Sequence, residues 1–385
     1  MPIESRQRII HDERLETMLP QMPDYVQEYM RSKRRAKYSP SSLLGYVHEY
    51  LKFFNWLLSE GVADYKDIKS IPYSVLETLS KETVELYREH IENEDIRTEK
   101  EKTKSPPAPV RRRSKDAVDR NINALKSLFS YLTTETENED GECYFYRNVF
   151  SKIKQRKEQE TASRRAAKIS SKVIKSNEIS DFIQYLKFDY EKVLEATSAK
   201  MYKAYLKQKE RDVAMISLLL GSGIRVSELA SLTLQDINFH TREIDIIRKG
   251  NKEDTVLVLQ AALEELKAYL RVRQERFNTK ESDIYVFVSK YKGMVQPLSV
   301  RSIQTLVSKY TKEFYDQNEF STGKGLSPHK MRHSFANDWI LQGGDIITLR
   351  DQLGHSSIET TSKYTNLSRD EGKKIIEKME ENRNK

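Results

Sequence analysis

The sequence has almost no cysteine and no long apolar run. Its 385 residues include one cysteine, Cys143, which excludes an internal disulfide framework and a zinc site made of several cysteines. No apolar stretch approaches the roughly 20 residues that cross a bilayer. The charged N-terminal stretch MPIESRQRIIHDERLE also lacks the apolar centre of a signal peptide. These features predict a cytoplasmic protein with no membrane partner.

Acidic residues are fewer than basic ones. Lysine and arginine number 66 against 58 acidic residues, so the formal net charge is +8 and the pI is about 9.1. A basic excess favours a polyanionic partner such as nucleic acid. Hydrophobic residues still make up 37% of the chain. At this length that is enough for two modest cores, so we expect two domains.

Helical periodicity dominates residues 1–150. Apolar residues recur at helical spacing over residues 39–60, 74–93 and 116–133, and serines near the start of the first stretch can cap it. The charged stretch at residues 98–115 contains clustered prolines and is predicted to be a loop. We therefore predict a small all-helical domain over residues 1–150.

Residues 151–176 contain almost no large apolar side chains. This stretch contains nine basic residues and two acidic residues, Glu158 and Glu160, so its net charge is +7. A solvated interdomain linker and a segment that lies along a DNA phosphate backbone both explain this composition, and both can hold at once. The candidate DNA-binding residues here are Lys154, Arg156, Lys157, Arg164, Arg165 and Lys168.

The pattern changes from residue 177 onward. Residues 209–220 form a strongly apolar stretch, which predicts a buried helix. Two strand-like runs follow, REIDIIR and DTVLVL, and the segment Lys249-Gly250-Asn251-Lys252 joins them as a predicted hairpin turn. The remainder is predicted to be mainly helical.

Three short stretches carry residues suited to phosphate chemistry. In GSGIRVSELASL, residues 221–232, two glycines allow a tight turn, and Glu228 shares a helix face with Arg225. In LGHSSIETTSKYTN, residues 353–366, His355 precedes Tyr364 by nine positions. Each stretch alone is also compatible with ordinary surface structure.

The third stretch is LSPHKMRHSFA, residues 326–336. His329 and His333 have the i, i+4 spacing of some zinc sites, but no glutamate follows His329, and Arg332 would place positive charge beside the metal. A helix start that bears histidine and arginine is better suited to a phosphate. We therefore predict no metal site and no cofactor.

Together these motifs resemble the tyrosine recombinase (phage integrase) family. The resemblance rests on six positions in the family's order and spacing, and the first domain is similar to that of the single-protein Xer recombinases of streptococci and lactococci. The six positions are Arg225, Lys249, His329, Arg332, His355 and Tyr364.

The resemblance implies a role for each of these residues. Tyr364 would be the nucleophile that forms a 3′-phosphotyrosyl bond. Arg225, Arg332 and His355 would bind the phosphate, and His329 would act as base and later as acid. Lys249 would protonate the leaving oxygen, with Lys252 as its rival. Glu228 would orient or support Arg225, and His333 is interpreted as a structural hydrogen bonder.

The resemblance also implies an architecture. A helical core-binding domain (1–150) and the basic linker (151–176) would join an α-rich catalytic domain with a small antiparallel sheet (177–367). The two domains would form a C-shaped clamp on double-stranded DNA. A tail helix (368–385) would dock on a neighbouring subunit, although packing on its own domain is the alternative.

The implied partners are an inverted-repeat DNA site, three further copies of the chain in a tetramer on two duplexes, and a septal DNA translocase. The implied activity is metal- and ATP-independent chromosome dimer resolution in a nucleoid-associated enzyme. An integrase or excisionase of a phage or transposon is the alternative within the enzyme class. A non-catalytic DNA-binding protein is the alternative outside it.

Overall fold

The computed structural model describes residues 6–106, 108–154, 174–248, 252–317, 325–355, 357–362 and 379–380. The chain divides into two compact units, residues 1–158 and 159–385. Helices dominate both units, and within the described ranges the strands all lie in the second unit, where they form small antiparallel sheets. The predicted fold class, mainly α with two domains and a small sheet, is confirmed.

The first unit consists of helices joined by turns and short 3-10 segments. Its described helices are α1 (Arg6–Met18), α2 (Asp24–Arg35), α3 (Pro40–Ser59), α4 (Tyr73–Thr78), α5 (Lys81–Asn93), α6 (Glu99–Lys102) and α7 (Lys115–Thr134). Helix α3 begins where predicted, because Ser39 accepts a hydrogen bond from the backbone N–H of Ser42 and Pro40 occupies the first turn. Its Tyr50 is fully buried and donates to the carbonyl of Ala124 on α7.

Two expectations for the first unit are wrong in detail. The stretch 74–93 is two helices, α4 and α5, because the hydroxyl of Ser80 accepts the N–H of Thr83 at 3.0 Å and starts a new helix. The stretch 98–115 is not a loop throughout, since Thr98 and Glu101 form a capping box that opens α6. In both cases a local side-chain cap decides where a helix begins.

The second unit surrounds one buried helix. Its described elements are α8 (Ser176–Gln184), α9 (Tyr190–Thr197), α10 (Ala199–Leu206), α11 (Lys209–Ser222), α12 (Val226–Ser231), β1 (Ile237–Asn238), β2 (Glu243–Arg248), β3 (Lys252–Leu257), α13 (Gln260–Phe277), β4 (Val288–Tyr291), β5 (Met294–Pro297), α14 (Val300–Gln317), α15 (Pro328–Leu341), α16 (Ile346–Leu353) and α17 (Ile358–Thr361). From Arg211 to its end at Ser222, every residue of α11 is buried. This matches the buried helix predicted at 209–220 and brings α13 and α15 against α11.

The larger sheet has the order β1-β2-β3, and its neighbours are antiparallel. Arg248 and Lys252 form the last pair of the β2–β3 ladder, so residues 249–251 of the predicted turn follow directly and lie outside the described residues. The inward face of β2 carries Ile244, Ile246 and Arg248. The position of Arg248 on that face is what brings it to the site described below.

The cores of the two units end close to the predicted linker. Ile153 is buried in the first core, and Ile174 is buried in the second, where its N–H donates to the hydroxyl of Ser334 at 2.9 Å. Residues 155–173 and all of the predicted tail except 379–380 lie outside the described residues. No helix in the described ranges is long and apolar enough to cross a membrane.

Candidate active site

A glycine turn places Arg225 at the start of α12. Helix α11 ends at Gly223, whose φ of +67° lies in the left-handed region. A Cβ on Gly223 would also lie 2.4 Å from Cδ1 of Phe335, so both conformation and space require glycine there. The chain then turns so that the N–H of Arg225 donates to Oε2 of Glu228 at 2.7 Å. This hydrogen bond holds the backbone of Arg225 in place independently of its side-chain contacts.

The guanidinium of Arg225 joins α12 to the end of α16. Its Nη1 donates to Oε1 of Glu228 at 2.9 Å, and its Nη2 donates to the carbonyl of Gly354 at 3.2 Å. The side chain of Arg225 is 36% exposed, whereas that of Glu228 is 4% exposed. A buried carboxylate therefore orients an arginine that still reaches solvent, where a phosphate could bind it.

Arg332 reaches the same place from α15. Ser327 lies at the N-cap position of this helix and Pro328 in its first turn, although the Ser327 side chain makes no capping hydrogen bond. Arg332 is buried, and its Nη1 donates to the carbonyl of Gly223 at 2.7 Å. Its Nη2 donates to the carbonyl of Leu353. Arg225 and Arg332 thus bind successive carbonyls, those of Gly354 and Leu353.

His355 follows these carbonyls directly. Helix α16 ends at Gly354, with φ of +59°, and the N–H of His355 donates to the carbonyl of Arg350 at 3.0 Å. Nδ1 of His355 lies 2.9 Å from the hydroxyl of Thr361 on α17. Thr361 is fully buried and precedes Tyr364 by three positions in the sequence. The half-buried imidazole is therefore anchored on both sides.

His329 and His333 lie together on α15. Their ring centroids are 4.4 Å apart at an interplanar angle of 70°, an edge-to-face contact. His329, in the first turn, is exposed, whereas His333 is half-buried. Within the described ranges no group of three or more His, Cys, Asp or Glu residues could hold a metal ion.

Two of the remaining candidate residues lie at the ends of described segments of the chain. Lys252 is exposed at the start of β3, and Lys154 is exposed where the described part of the first unit ends. Some candidates lie outside the described residues: Lys249, Tyr364, Arg156, Lys157, Arg164, Arg165 and Lys168. The structure therefore brings together Arg225, Glu228, Arg332 and His355, and the roles of all the candidate residues stay predictions.

Sequence reasoning missed two buried polar residues of the site. Arg248 contacts Glu228 and the end of α16, and the amide of Gln352 donates to the carbonyls of Ser222 and Leu257 at 2.9 and 2.8 Å. The alternation along β2 held a signal for Arg248, because it shares the inward face with Ile244 and Ile246. A charged side chain on a buried face must find partners.

Substituting Gly354 tests whether the turn after α16 has room for a side chain. In Gly354→Ala the new Cβ would lie 2.5 Å from Nε of Arg248, in addition to the strain of a left-handed alanine. We expect a loss of about 2–4 kcal/mol in the free energy of unfolding and a clear loss of activity. Urea unfolding and a DNA-cleavage assay measure the two effects.

Gly343→Ala is the matched control for that substitution. Gly343 has φ of +80°, but a Cβ there would meet no heavy atom within 4 Å. It should therefore show only the conformational cost of about 1 kcal/mol, with normal cleavage. Equal unfolding free energies and equal activities in the two variants would contradict the steric argument.

The arrangement is suited to binding a tetrahedral anion. Two guanidinium groups and an imidazole converge on the end of α16, and guanidinium groups bind phosphate oxygens through paired hydrogen bonds while they remain charged at any working pH. The described residues are thus suited to bind a phosphate group, and this role stays a prediction.

Comparison with known proteins identifies the class. The phage integrase family profile matches residues 185–371, the region that contains this site. Curated tyrosine recombinases are also similar over nearly the whole chain. The chain therefore belongs to the phage integrase family and is a tyrosine recombinase, an enzyme of site-specific DNA recombination.

Among the relatives, the chain is similar to tyrosine recombinase XerS. It is 35% identical over 367 residues to XerS of Streptococcus mutans, covering 95% of this chain and 98% of the relative. It is 36% identical over 358 residues to XerS of Lactococcus lactis subsp. cremoris, covering 93% and 96%. These matches confirm the predicted similarity to the single-protein Xer recombinases.

Solved structures agree on the fold. The post-cleavage complex of XerH with a palindromic difH substrate has a TM-score of 0.59 at 18% identity, covering 97% of this chain and 89% of that one. The Tn1549 transposon integrase in complex with circular intermediate DNA has a TM-score of 0.56 at 17% identity, covering 89% and 95%. Both are recombination enzymes with the same fold.

Proposed function

We propose that this recombinase resolves chromosome dimers by recombining two copies of a site near the replication terminus before cell division. The similarity to XerS over nearly the whole chain supports this role. The observation that carries the chemistry is that Arg225 and Arg332 both bind carbonyls at the end of α16, which His355 directly follows. The enzyme would act in the cytoplasm, on the DNA of the nucleoid.

In the proposed cleavage step, the phenol oxygen of Tyr364 attacks the scissile phosphorus in line. A P–O bond to tyrosine forms as the P–O5′ bond breaks, which leaves a 3′-phosphotyrosyl link and a free 5′ hydroxyl. Arg225, Arg332 and His355 hold the non-bridging oxygens as negative charge develops. Rejoining requires no ATP, because the phosphotyrosyl link conserves the energy of the broken phosphodiester bond, and the arginines take the place of a metal ion in neutralising the developing charge.

Two protons move in this step. His329, exposed at the start of α15, takes the phenol proton, and Lys249 gives a proton to the leaving 5′ oxygen. Phenols in the cores are poor candidates for the nucleophile, since burial raises the pKa of Tyr29 and Tyr269 to about 12 and that of Tyr310 well above its ordinary value. Tyr364 is the tyrosine that the family motif assigns.

The same proposal covers the DNA-bound assembly. The helical first domain, the basic linker and Lys252 would bind an inverted-repeat site, with the two domains closing around the duplex. Four copies would hold two duplexes, with the tail of each docked on its neighbour, and a septal translocase would bring the two sites together. The basic charge of residues 151–176 supports the DNA contact.

A suicide substrate tests the chemistry. The substrate is a nicked duplex that carries the inverted-repeat site of the replication terminus, so that the cleaved end diffuses away and the covalent product accumulates. With EDTA present, we expect a protein–DNA band on a denaturing gel. Tight binding without such a band would contradict the enzymatic role. A band only on DNA from the end of a mobile element would instead identify an integrase.

A genetic experiment tests the biological task. Loss of the gene should leave a fraction of cells with unsegregated chromosomes at division. That fraction should disappear when homologous recombination is also removed, because dimers arise from crossovers between sister chromosomes. Segregation defects that persist without homologous recombination would contradict dimer resolution.

A further inference from the structure

Arg248 is a buried side chain near the site that makes hydrogen bonds to several elements, and none of the six motif positions includes it. Its side chain is 7% exposed. It ends β2, immediately before Lys249 in the sequence, and faces inward with Ile244 and Ile246. A buried guanidinium in this position needs partners for all of its N–H groups.

Two of those partners are backbone carbonyls at the end of α16. Nη2 of Arg248 donates to the carbonyl of Gln352 at 2.8 Å, and Nη1 donates to that of Leu353 at 3.1 Å. The Leu353 carbonyl also accepts from Arg332. A Cβ on Gly354 would lie 2.7 Å from Cζ of Arg248, so the guanidinium lies directly against the turn that leads to His355.

The remaining partners are carboxylates on two other elements. Nη1 lies 3.5 Å from both oxygens of Glu228, and Nε donates to Asp254 on β3 at 2.8 Å. Glu228 is the same carboxylate that orients Arg225. Two guanidinium groups thus share Glu228, and Asp254 contributes a second negative charge to Arg248 alone. One planar side chain therefore joins α12, α16 and the hairpin.

We propose that Arg248 is a positioning residue for recombination. It fixes the carboxylate that orients Arg225 and the turn that carries His355, so that both phosphate-binding groups are in place before DNA arrives. The inference rests on the proposed roles of Arg225 and His355. Preorganisation of this kind matters because a displacement of about 1 Å at a reacting centre can lower a rate by about 100-fold.

A matched control separates positioning from simple stabilisation. Arg273 on α13 is also a buried arginine, and it donates to the carbonyls of Val286, Asp283 and Tyr285 and to the hydroxyl of Thr279. None of these partners belongs to the candidate site. Arg273→Met therefore removes a comparable set of buried hydrogen bonds from the same unit without touching the phosphate-binding groups.

The experiment compares Arg248→Met, Arg248→Lys and Arg273→Met with the unchanged chain. Single-turnover cleavage of the suicide substrate is measured at saturating DNA, below the melting temperature of every variant. We expect Arg248→Met to cleave about 10- to 100-fold more slowly, with DNA affinity little changed, whereas Arg273→Met cleaves at the normal rate. Arg248→Lys keeps the charge but loses the planar fork, and we expect it to remain folded and slow.

A substrate with sulfur in place of the bridging 5′ oxygen sharpens the assignment. A thiolate leaves without a proton, because a thiol has a pKa near 8.5, far below that of an alcohol. A defect confined to leaving-group protonation is therefore rescued by sulfur, whereas a defect in phosphate binding is not. We expect the loss in Arg248→Met and Arg248→Lys to persist on the sulfur substrate.

Each outcome decides a different point. Cleavage by both Arg248 variants at the rate of Arg273→Met would overturn the inference, and so would full rescue by sulfur, which would place the defect at Lys249. If Arg248→Met does not fold, the rate of Arg248→Lys decides the matter alone. Failure of the unchanged chain to cleave either substrate would overturn the proposed function itself, and this inference with it.

Discussion

Tyr364→Phe should abolish the covalent protein–DNA complex and leave DNA binding intact. The substitution removes only the oxygen that would attack the phosphorus, and no other group in the motif set can form a phosphotyrosyl bond. We expect no band on a denaturing gel from a suicide substrate that gives a strong band with the unchanged chain. The dissociation constants of the two proteins for the same DNA, measured by electrophoretic mobility shift, should differ by less than about twofold, since one hydroxyl contributes little to a large interface.

Tyr291→Phe is the control for this experiment. Tyr291 lies on β4 in the same unit and is 60% exposed, so its side chain is open to solvent. We expect this variant to form the covalent complex normally. A covalent band that survives in Tyr364→Phe would mean that another residue is the nucleophile. The assignment of the last motif would then be wrong, although the family would still hold.

Removing Arg225 or Arg332, the two arginines proposed to bind the phosphate, should slow cleavage by about 100- to 1,000-fold. Loss of a single preorganised donor to a transition-state oxygen has this magnitude in other enzymes. We expect the loss in both Arg225→Ala and Arg332→Ala, as a lower single-turnover rate at saturating DNA. Arg271→Ala, an exposed arginine on α13, is the control for the loss of one positive charge.

The two arginine variants should differ in stability. Arg332 is buried and donates to the carbonyls of Gly223 and Leu353, so its removal deprives buried acceptors of their donors and should cost about 1–3 kcal/mol in the free energy of unfolding. Arg225 is one third exposed, and Glu228 keeps Arg248 as a partner when Arg225 is gone. Its removal should cost less than about 1 kcal/mol. Thermal or urea unfolding that ranks the variants the other way would contradict this account of the site.

Much of the fold follows from periodicity and capping. The buried helix α11 could be predicted because seven of its eight residues from 213 to 220 are apolar, and α3 because Ser39 and Pro40 mark its start. The break between α4 and α5 could not be predicted from the apolar pattern, which continues across Ser80. There a single capping hydrogen bond outweighed the pattern, and the sequence alone does not tell whether a serine inside an apolar pattern starts a new helix.

The sequence also named some of the residues that meet in the site, but not all of them. Motif order named Arg225, Arg332 and His355, which the structure brings to one helix end. Arg248 and Gln352 escaped notice because they bind partners that lie 95 or more positions away, which no local pattern encodes. Burial of a charged residue on β2 was the available signal, and it became meaningful only after the strand alternation was compared with the packing.

The end of α16 holds arginine side chains through carbonyl oxygens, which carry no full negative charge. Carbonyls of Gln352, Leu353 and Gly354 accept hydrogen bonds from three guanidinium groups. Carbonyl oxygens orient these cations through the negative end of a helix dipole, equivalent to only about half a charge. Carboxylates in place of these three carbonyls would have held the same cations but cancelled more of their charge. As it is, three guanidinium groups meet two carboxylates, those of Glu228 and Asp254, so the arginines are fixed in position and a positive excess remains for a DNA phosphate.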